Sequence, residues 1–222
     1  MSSKRCYKQY CGLAKAMDII GERWTLLILR DLLLGPWRYS DLLERMNGMT
    51  TNLLASRLKE MEENNLIKKT QLSSIGSPHV YELSELGKQL EPAMLALSKF
   101  GFNFMQNGPQ ADEQVDAGRA LLNLKGRYRG KQKGLITLNI KEPSSNQSNA
   151  IYQVKFSPES VDIRHGENWE GVVSVSLTLK IYGDIAFRGV DASKLEQNSK
   201  IIIEGQRNIW IRFLDSFNFN HS

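Results

Sequence analysis

The chain has 222 residues, with 29 Lys plus Arg against 24 Asp plus Glu, which gives a net charge of +5. A hydrophobic fraction of 41% and a charged fraction of 24% are typical of globular proteins and exclude wholesale disorder or a fibrous repeat. No apolar run reaches the roughly 18 residues that a membrane span needs, and no apolar stretch follows the N-terminal basic residues as in a secretion signal. We therefore expect a cytoplasmic protein of two domains without a membrane partner.

The first hundred residues show mainly helical periodicity. Residues 24–34 are apolar around most of the helical circumference, which predicts a buried central helix that ends at Gly35-Pro36. Ser40 is expected to cap a short helix over residues 41–46. Such short, closely spaced helices are typical of a small helical domain.

The next helix, over residues 51–64, is amphipathic and should open at Thr50 or Thr51. Its apolar residues recur at i, i+4 and i+7 and form one narrow stripe: Leu54, Leu58 and Met61. The side chains on the opposite face are small, polar or basic: Asn52, Ala55, Ser56 and Lys59. A helix that enters the major groove must present such side chains to the base edges, although many solvent-exposed helices also have a polar face.

A hairpin is predicted after this helix, because strand-like residues 66–72 and 79–83 flank the turn-rich residues 73–78. Lys69 and His79 lie on its strands, and cations beside a groove-reading helix commonly contact phosphate. Three helices followed by a two-stranded hairpin predict a winged helix-turn-helix domain.

A long helix is predicted from Ser84 to about Gln106, with a kink or break at Pro92. Its apolar surface is wider than one packing face requires, which indicates a contact beyond its own domain. The residues of its apolar stripe are Leu86, Leu90, Ala93, Met94, Leu97, Phe100 and Phe104.

The pattern changes after a linker at residues 107–110. Helices are expected near residues 112–124, 179–187 and 206–216, and strands near residues 135–140, 152–156, 161–164, 172–177 and 201–204. Residues 143–149 are expected to form an exposed loop. The fold class is therefore α+β, with a winged helix-turn-helix domain over residues 1–107 and a smaller α+β domain over residues 108–222.

Residues that carry catalysis or bind metal are not evident in the sequence. The three histidines, His79, His165 and His221, lie in separate segments without metal-ligand spacing. No glycine-rich phosphate loop, nucleophile elbow or Walker sequence is present. We expect a protein that is not an enzyme and has no metal or cofactor.

Residues 11–101 resemble the DNA-binding domain of the HxlR-type family of bacterial transcriptional regulators. The resemblance rests on four stretches and on Gly87: CGLAKAMDIIGERWTLLIL at 11–29, GPWRYSDL at 35–42, LASRLKEME at 54–62 and VYELS at 80–84. It implies a homodimer whose terminal helices pair, with each recognition helix on half of a palindromic site in double-stranded DNA.

Candidate DNA contacts follow from the helix, the wing and this resemblance: Thr50, Thr51, Asn52, Ser56, Arg57, Lys59, Arg38, Lys69 and His79. Arg57 lies on the flank between the core stripe and the groove face, so either an ion pair with an acidic neighbour or a base contact is consistent with its position. Arg38 precedes the short helix and either contacts phosphate or is solvated.

Cys11 occupies a position at which some regulators of this family sense oxidants or electrophiles. Nearby cations such as Lys8 would favour the thiolate. The alternative is a small apolar residue within a contact between dimer helices. The second thiol, Cys6, lies nearby, and two cysteines are too few for a disulfide framework.

From about residue 115 the order helix, strands, helix, strand, helix resembles the sterol-carrier-protein (SCP2-like) domain, most closely at residues 199–205, SKIIIEG. The resemblance implies a tunnel for an apolar small molecule. The candidate lining residues are Phe156, Ile181, Phe187, Ile209, Trp210, Phe213 and Phe217. The same side chains would also fill a closed core. The alternative function is therefore a lipid-like carrier that uses the helix-turn-helix domain only to dimerise.

Overall fold

The computed structural model of the chain describes residues 6–71, 78–105, 109–110, 112–142, 150–166 and 171–217. The chain divides into two compact units, Met1–Ala96 and Leu97–Ser222. The C-terminal unit has more residues than the N-terminal unit, so the expectation of a smaller C-terminal domain is wrong. The boundary at residue 107 stays a prediction, because residues 106–108 lie outside the described residues, as do residues 73–77 of the predicted wing turn at 73–78 and the predicted loop at 143–149.

The N-terminal unit is mainly helical and carries a small antiparallel sheet. In chain order its elements are α1 (Gly12–Ile20), α2 (Thr25–Leu32), β1 (Trp37–Arg38), α3 (Tyr39–Arg45), α4 (Thr51–Glu63), β2 (Ile67–Gln71), β3 (His79–Leu83), α5 (Glu85–Lys88) and the start of α6 (Glu91–Gly101), a helix that extends beyond Ala96. The strand order is β1-β3-β2. The helices predicted over residues 24–34, 41–46 and 51–64 and the hairpin are confirmed. The two residues of β1 are too few to produce a periodic pattern.

Two of the three predicted helix caps are confirmed. The Thr50 side chain accepts a hydrogen bond from the Leu53 amide at the start of α4, and the Ser84 side chain accepts one from the Gly87 amide in α5. The predicted cap at Ser40 is wrong, because α3 already begins at Tyr39. The Ser40 hydroxyl instead donates to the adjacent Asp41 carboxylate.

The long helix predicted over residues 84–106 is broken into separate segments. The chain leaves α5 after Lys88, makes a turn in which the Leu90 amide donates to the Gly87 carbonyl, and enters α6 at Glu91. Pro92 lies in the first turn of α6, where its missing N–H removes no helical hydrogen bond. The helical path ends in a 3₁₀ turn at Phe102–Phe104, before Gln106.

The core of the N-terminal unit forms around α2, as its apolar circumference predicts. Ile28 and Leu29 of this helix are completely buried. They pack with side chains from α3, α4, the sheet and α6, which include Leu42, Leu54, Leu58, Met61, Ile67, Leu83 and Met94. The apolar stripe of α4 is thus fixed to the core, and its opposite face is directed away from it.

The C-terminal unit is built around a mixed sheet with the strand order β6-β5-β4-β7-β8. Its elements are α7 (Ala117–Leu122), β4 (Gly134–Lys141), β5 (Ala150–Phe156), β6 (Val161–His165), β7 (Val173–Thr178), α8 (Leu179–Arg188), α9 (Ala192–Gln197), β8 (Ile202–Gly205) and α10 (Arg207–Asp215). Strands β4 and β7 pair in parallel, and the other described pairs are antiparallel. The predicted α+β class is confirmed.

Two helices of this unit differ from the sequence prediction. Helix α7 begins later than residue 112, because the Asp116 carboxylate caps it by accepting from the Arg119 amide. The six residues of α9 were not predicted, since so short a segment shows no clear periodicity. None of the helices in the described ranges is long and apolar enough to cross a membrane.

Candidate nucleic-acid interface

The face of α4 opposite the core is open to solvent. Asn52, Ala55, Ser56 and Lys59 are exposed, whereas Leu54, Leu58 and Met61 are buried. Thr50 and Thr51, at the start of the helix, are exposed as well. The predicted groove face therefore exists as a continuous set of accessible side chains, most of them neutral and polar.

Tyr39 fixes the start of α4 relative to α3. Its hydroxyl donates a hydrogen bond of 2.6 Å to the backbone carbonyl of Thr51. Since Thr51 is the first residue of α4, this bond constrains the part of the helix that carries Asn52. No periodic pattern reveals a contact between a tyrosine hydroxyl and a backbone carbonyl, so the sequence did not predict it.

A buried carboxylate links α2, β1 and α3 behind this interface. Asp31 is completely buried and accepts hydrogen bonds from Arg45 Nε at 2.9 Å and Arg30 Nε at 2.8 Å. The Trp37 indole N–H donates to the Asp31 backbone carbonyl at 2.9 Å. The guanidinium of Arg45 also lies 4.5 Å from the centre of the Trp37 ring. This network holds β1 and α3 against the central helix.

The wing places two of the predicted phosphate contacts on one face and a third on the other. Lys69 is paired with Tyr81, and His79 lies two residues before Tyr81 on β3, so Lys69 and His79 share a face. Arg38 is paired with Val80 and therefore lies on the opposite face. All three predicted phosphate contacts are exposed. They flank the sheet rather than forming one cluster.

The two lysines of β2 differ in their surroundings. Lys68 Nζ lies 3.3 Å from Glu82 Oε1, so its charge is partly neutralised. Lys69 Nζ lies 5.9 Å from the centre of the Tyr81 ring and, among the described side chains, has no carboxylate within ion-pair distance. Lys69 is thus the better placed of the two to contact phosphate.

Arg57 forms ion pairs with acidic neighbours, which is one of the two alternatives that the sequence left open for this residue. Its Nη1 atom lies 2.7 Å from Glu60 Oε2 and 3.7 Å from Glu22 Oε2. Its side chain is only 15% exposed. The spacing of three residues between Arg57 and Glu60 is one at which helical side chains meet.

Cys11 lies directly before α1 and is fully exposed. Hydrogen bonds from the backbone N–H groups of Ala14 and Leu13 lower the pKa of its thiol, because they favour the thiolate. Cys6 is also exposed, and its thiol donates to the Asp18 carboxylate at 3.2 Å. Cys11 is therefore the thiol for which the surroundings favour ionisation.

Apolar side chains are exposed on α1 and in the segment of residues 97–105, which we call the apolar segment. Leu13 of α1 is 72% exposed, and Leu97 and Phe104 are 53% and 73% exposed. The rings of Phe100 and Phe104 pack edge to face, with centres 5.3 Å apart. Further exposed apolar residues on the two segments are Met17, Ile19, Phe102 and Met105. Exposure on this scale is typical of protein interaction surfaces.

The residues predicted to line a cavity in the C-terminal unit form part of its interior. Phe156, Ile209, Trp210, Phe213 and Phe217 are buried. The Phe213 ring contacts those of Trp210, Phe156 and Phe217, with centres 4.8–5.9 Å apart. Ile181 is half-buried, and the side chain of Phe187 lies outside the described residues. The described rings form one aromatic cluster, and their role as a cavity lining stays a prediction.

The described residues contain no group of three or more His, Cys, Asp or Glu side chains that could hold a metal ion. The polar groups brought together at the interface are hydroxyls, amides and cations on α4 and the wing. Such groups are suited to contacts with base edges and phosphates.

Comparison with known proteins yields similarity over the N-terminal part of the chain. Residues 19–109 match the model of the HxlR-like helix-turn-helix family. A relative from Bacillus subtilis, the uncharacterized HTH-type transcriptional regulator YvaP, is 33% identical over 86 residues, which are 39% of this chain and 80% of the relative. YodB, an HTH-type transcriptional regulator of the same organism, is 28% identical over 46% of this chain and 91% of the relative. The uncharacterized regulator Rv3095 of Mycobacterium tuberculosis is 34% identical over 42% of this chain, but the match spans only 59% of that relative.

Proposed function

The chain belongs to the HxlR-like helix-turn-helix family of transcriptional regulators, and we propose that it binds a palindromic operator as a homodimer, with α4 of each protomer in the major groove. The exposed face of α4 carries this proposal. Asn52 and Ser56 offer amide and hydroxyl groups, which match the donors and acceptors of base edges. The Thr50 cap and the Tyr39–Thr51 bond fix the orientation of this end of the helix.

The charges around α4 support different roles for the neutral and the positively charged residues of the interface. Asn52 and Ser56 are neutral and suit base readout, whereas Lys69 on the wing and Arg38 on β1 are exposed cations that suit phosphate contacts. Phosphate contacts position a protein on any duplex, and base contacts distinguish one duplex from another. Substitution of the neutral residues should therefore lower the affinity for the operator alone, whereas substitution of the cations should lower the affinity for any duplex.

The exposed apolar residues support the homodimer. A protomer has one α4, and a palindromic site needs two recognition helices about one helical turn, roughly 34–36 Å, apart. We propose that α1 and the apolar segment pair with those of a second copy, which would remove side chains such as Leu13 and Phe104 from water. A symmetric dimer would then match the symmetry of the site.

Substitutions on α4 and on the wing should separate specificity from general affinity. Asn52→Ala and Ser56→Ala should each weaken operator binding by about 1–3 kcal/mol per lost base contact and leave binding to random duplex unchanged. Lys69→Ala should weaken both duplexes alike and reduce the slope of log affinity against log salt by about 1 per protomer. Fluorescence anisotropy titrations at several salt concentrations measure both effects.

The operator for these titrations is a duplex selected from random sequences by the wild-type protein, and a scrambled duplex is the control. Thermal unfolding of each variant should match that of the wild type, because the substituted side chains are exposed. Operator binding by Asn52→Ala and Ser56→Ala at wild-type affinity would show that α4 does not read the bases.

The C-terminal unit supports an effector role. The order α7, strands β4 to β7, α8 and α9, β8 and α10 agrees with the order expected of an SCP2-like domain, and we propose this fold. The aromatic cluster around Phe213 is then a candidate binding region for an apolar molecule that changes operator affinity. The carrier function makes a different prediction, namely binding of a fluorescent fatty acid without any affinity for duplex DNA.

Oxidation of Cys11 is the second regulatory route that we propose. Its lowered pKa favours the thiolate, which is the reactive form of the side chain. A thiol-selective oxidant should change operator affinity in the wild type and in Cys6→Ser but have no effect in Cys11→Ser. An equal response in Cys11→Ser would exclude Cys11 as the sensor.

A further inference from the structure

One carboxylate of α4 holds two side chains that lie one turn before it. The hydroxyl of Ser56 donates to Glu60 Oε1 at 3.2 Å, and Arg57 Nη1 donates to Glu60 Oε2 at 2.7 Å. Both oxygens of Glu60 are therefore engaged by residues of the same helix. Since Ser56 lies on the proposed groove face, Glu60 acts at the edge of the surface that would read the bases.

Arg57 is neutralised by two carboxylates. Besides Glu60, the Glu22 carboxylate in the turn between α1 and α2 lies 3.7 Å from Arg57 Nη1. The Arg57 side chain is 15% exposed, compared with 38% for Glu60 and 60% for Glu22. A guanidinium does not lose its proton in proteins, so its charge can only be balanced, not removed. In the free protein it is directed towards carboxylates.

The charges on α4 do not favour a strong attraction to DNA. Arg57 and Lys59 are its cations, and Glu60, Glu62 and Glu63 are its carboxylates, so the helix carries more negative than positive charge. Lys59 Nζ also lies 4.0 Å from Glu63 Oε1. Sequence-independent binding comes mainly from the attraction of cations to phosphates. Because α4 has no excess of positive charge, it contributes little to such binding.

We propose that Glu60 is a specificity-determining residue, which holds Arg57 away from the DNA backbone and thereby limits affinity for random duplex. This inference rests on the proposed function, because it places α4 at the duplex. With Arg57 neutralised, discrimination depends on neutral side chains such as Asn52 and Ser56. If Arg57 were released, its long side chain would supply a phosphate contact that any sequence satisfies.

Glu60→Gln isolates this effect. The glutamine has nearly the same shape, and its amide oxygen can still accept the hydrogen bond from Ser56, but it no longer balances the charge of Arg57. Glu60→Gln should bind random duplex more tightly and steepen the salt dependence by about 0.9 per protomer, the value for one added phosphate contact. In a dimer, raising the salt concentration from about 50 mM to about 200 mM would therefore lower the affinity of Glu60→Gln for duplex DNA roughly 12-fold more than it lowers that of the wild type. The ratio of operator affinity to random affinity should fall.

Two further variants separate the release of Arg57 from a general change in charge. Glu62→Gln makes the same charge change on the same helix, and among the described residues Glu62 makes no ion pair, so its salt slope should match the wild type. Glu60→Gln combined with Arg57→Gln should return the slope to the wild-type value. Anisotropy titrations of the full chain with the selected operator and the scrambled duplex measure all four proteins.

The outcomes are distinguishable. A steeper slope in Glu60→Gln that is absent in Glu62→Gln and in the double variant supports the proposal. An unchanged slope in Glu60→Gln, an equal change in Glu62→Gln, or persistence of the change in the double variant would overturn it while leaving operator binding by the wild type intact. If the wild type itself does not prefer the operator over the scrambled duplex, the proposed function fails, and the role of Glu60 fails with it.

Discussion

Leu97→Asp is expected to convert the proposed dimer into a folded monomer with little affinity for a palindromic operator. Leu97 is 53% exposed in the single chain, so the carboxylate remains solvated in the monomer and the fold is retained. In the dimer the same carboxylate would be buried without a partner, which costs about 3 kcal/mol or more and weakens association at least roughly 100-fold. Sedimentation velocity at micromolar concentration measures the change in mass.

Ile211→Asp is the matched control for this substitution. Ile211 is likewise an exposed apolar residue of a helix, at 46%, but it lies on α10, outside α1 and the apolar segment. This variant should sediment as the wild type does. A wild-type protein that sediments as a monomer, or Leu97→Asp that remains dimeric, would contradict the proposed interface.

Arg45→Met should destabilise the N-terminal unit by about 3 kcal/mol. Asp31 is completely buried, and Arg45, whose side chain is 13% exposed, donates to it through Nε. Removal of one partner from a buried ion pair leaves charge uncompensated, which typically costs about 3–5 kcal/mol. The retained bond from Arg30 places the expected loss at the lower end of this range. Urea unfolding followed by the fluorescence of the tryptophans reports the free energy of unfolding.

Arg38→Met, which removes an exposed arginine of β1, is the control for stability and should change the free energy of unfolding by no more than about 0.5 kcal/mol. Arg45→Lys keeps the charge but loses the planar group that lies over Trp37, so its loss should be intermediate. A loss below about 1 kcal/mol in Arg45→Met would show that the remaining partners of Asp31 satisfy it without Arg45.

Local patterns predicted most of the N-terminal fold. The i, i+4, i+7 stripe of α4 identified both its buried side and the exposed Asn52 and Ser56, because helical periodicity fixes which residues share a face. The break before α6 was predictable from Pro92, which cannot continue a helical hydrogen-bond ladder. Such features depend on neighbours within one or two turns.

Contacts between distant residues could not be predicted in this way. Asp31 and Arg45 are 14 residues apart, and Arg57 meets Glu22 across a larger separation along the chain. Their ion pairs exist because α2, α3 and α4 pack together, and a single sequence does not report that geometry. A carboxylate within a mostly apolar helix, as Asp31 is, was the available signal that a buried partner was needed.

In the proposed complex, two copies of α4 read the two halves of an operator. Hydroxyl-radical footprinting of the wild-type protein and of Asn52→Ala on the selected duplex tests this arrangement. We expect two protected half-sites related by a dyad, with centres about 10–10.5 base pairs apart, and loss of both in Asn52→Ala at the same protein concentration. Protection that does not depend on sequence, or that is identical in Asn52→Ala, would contradict it.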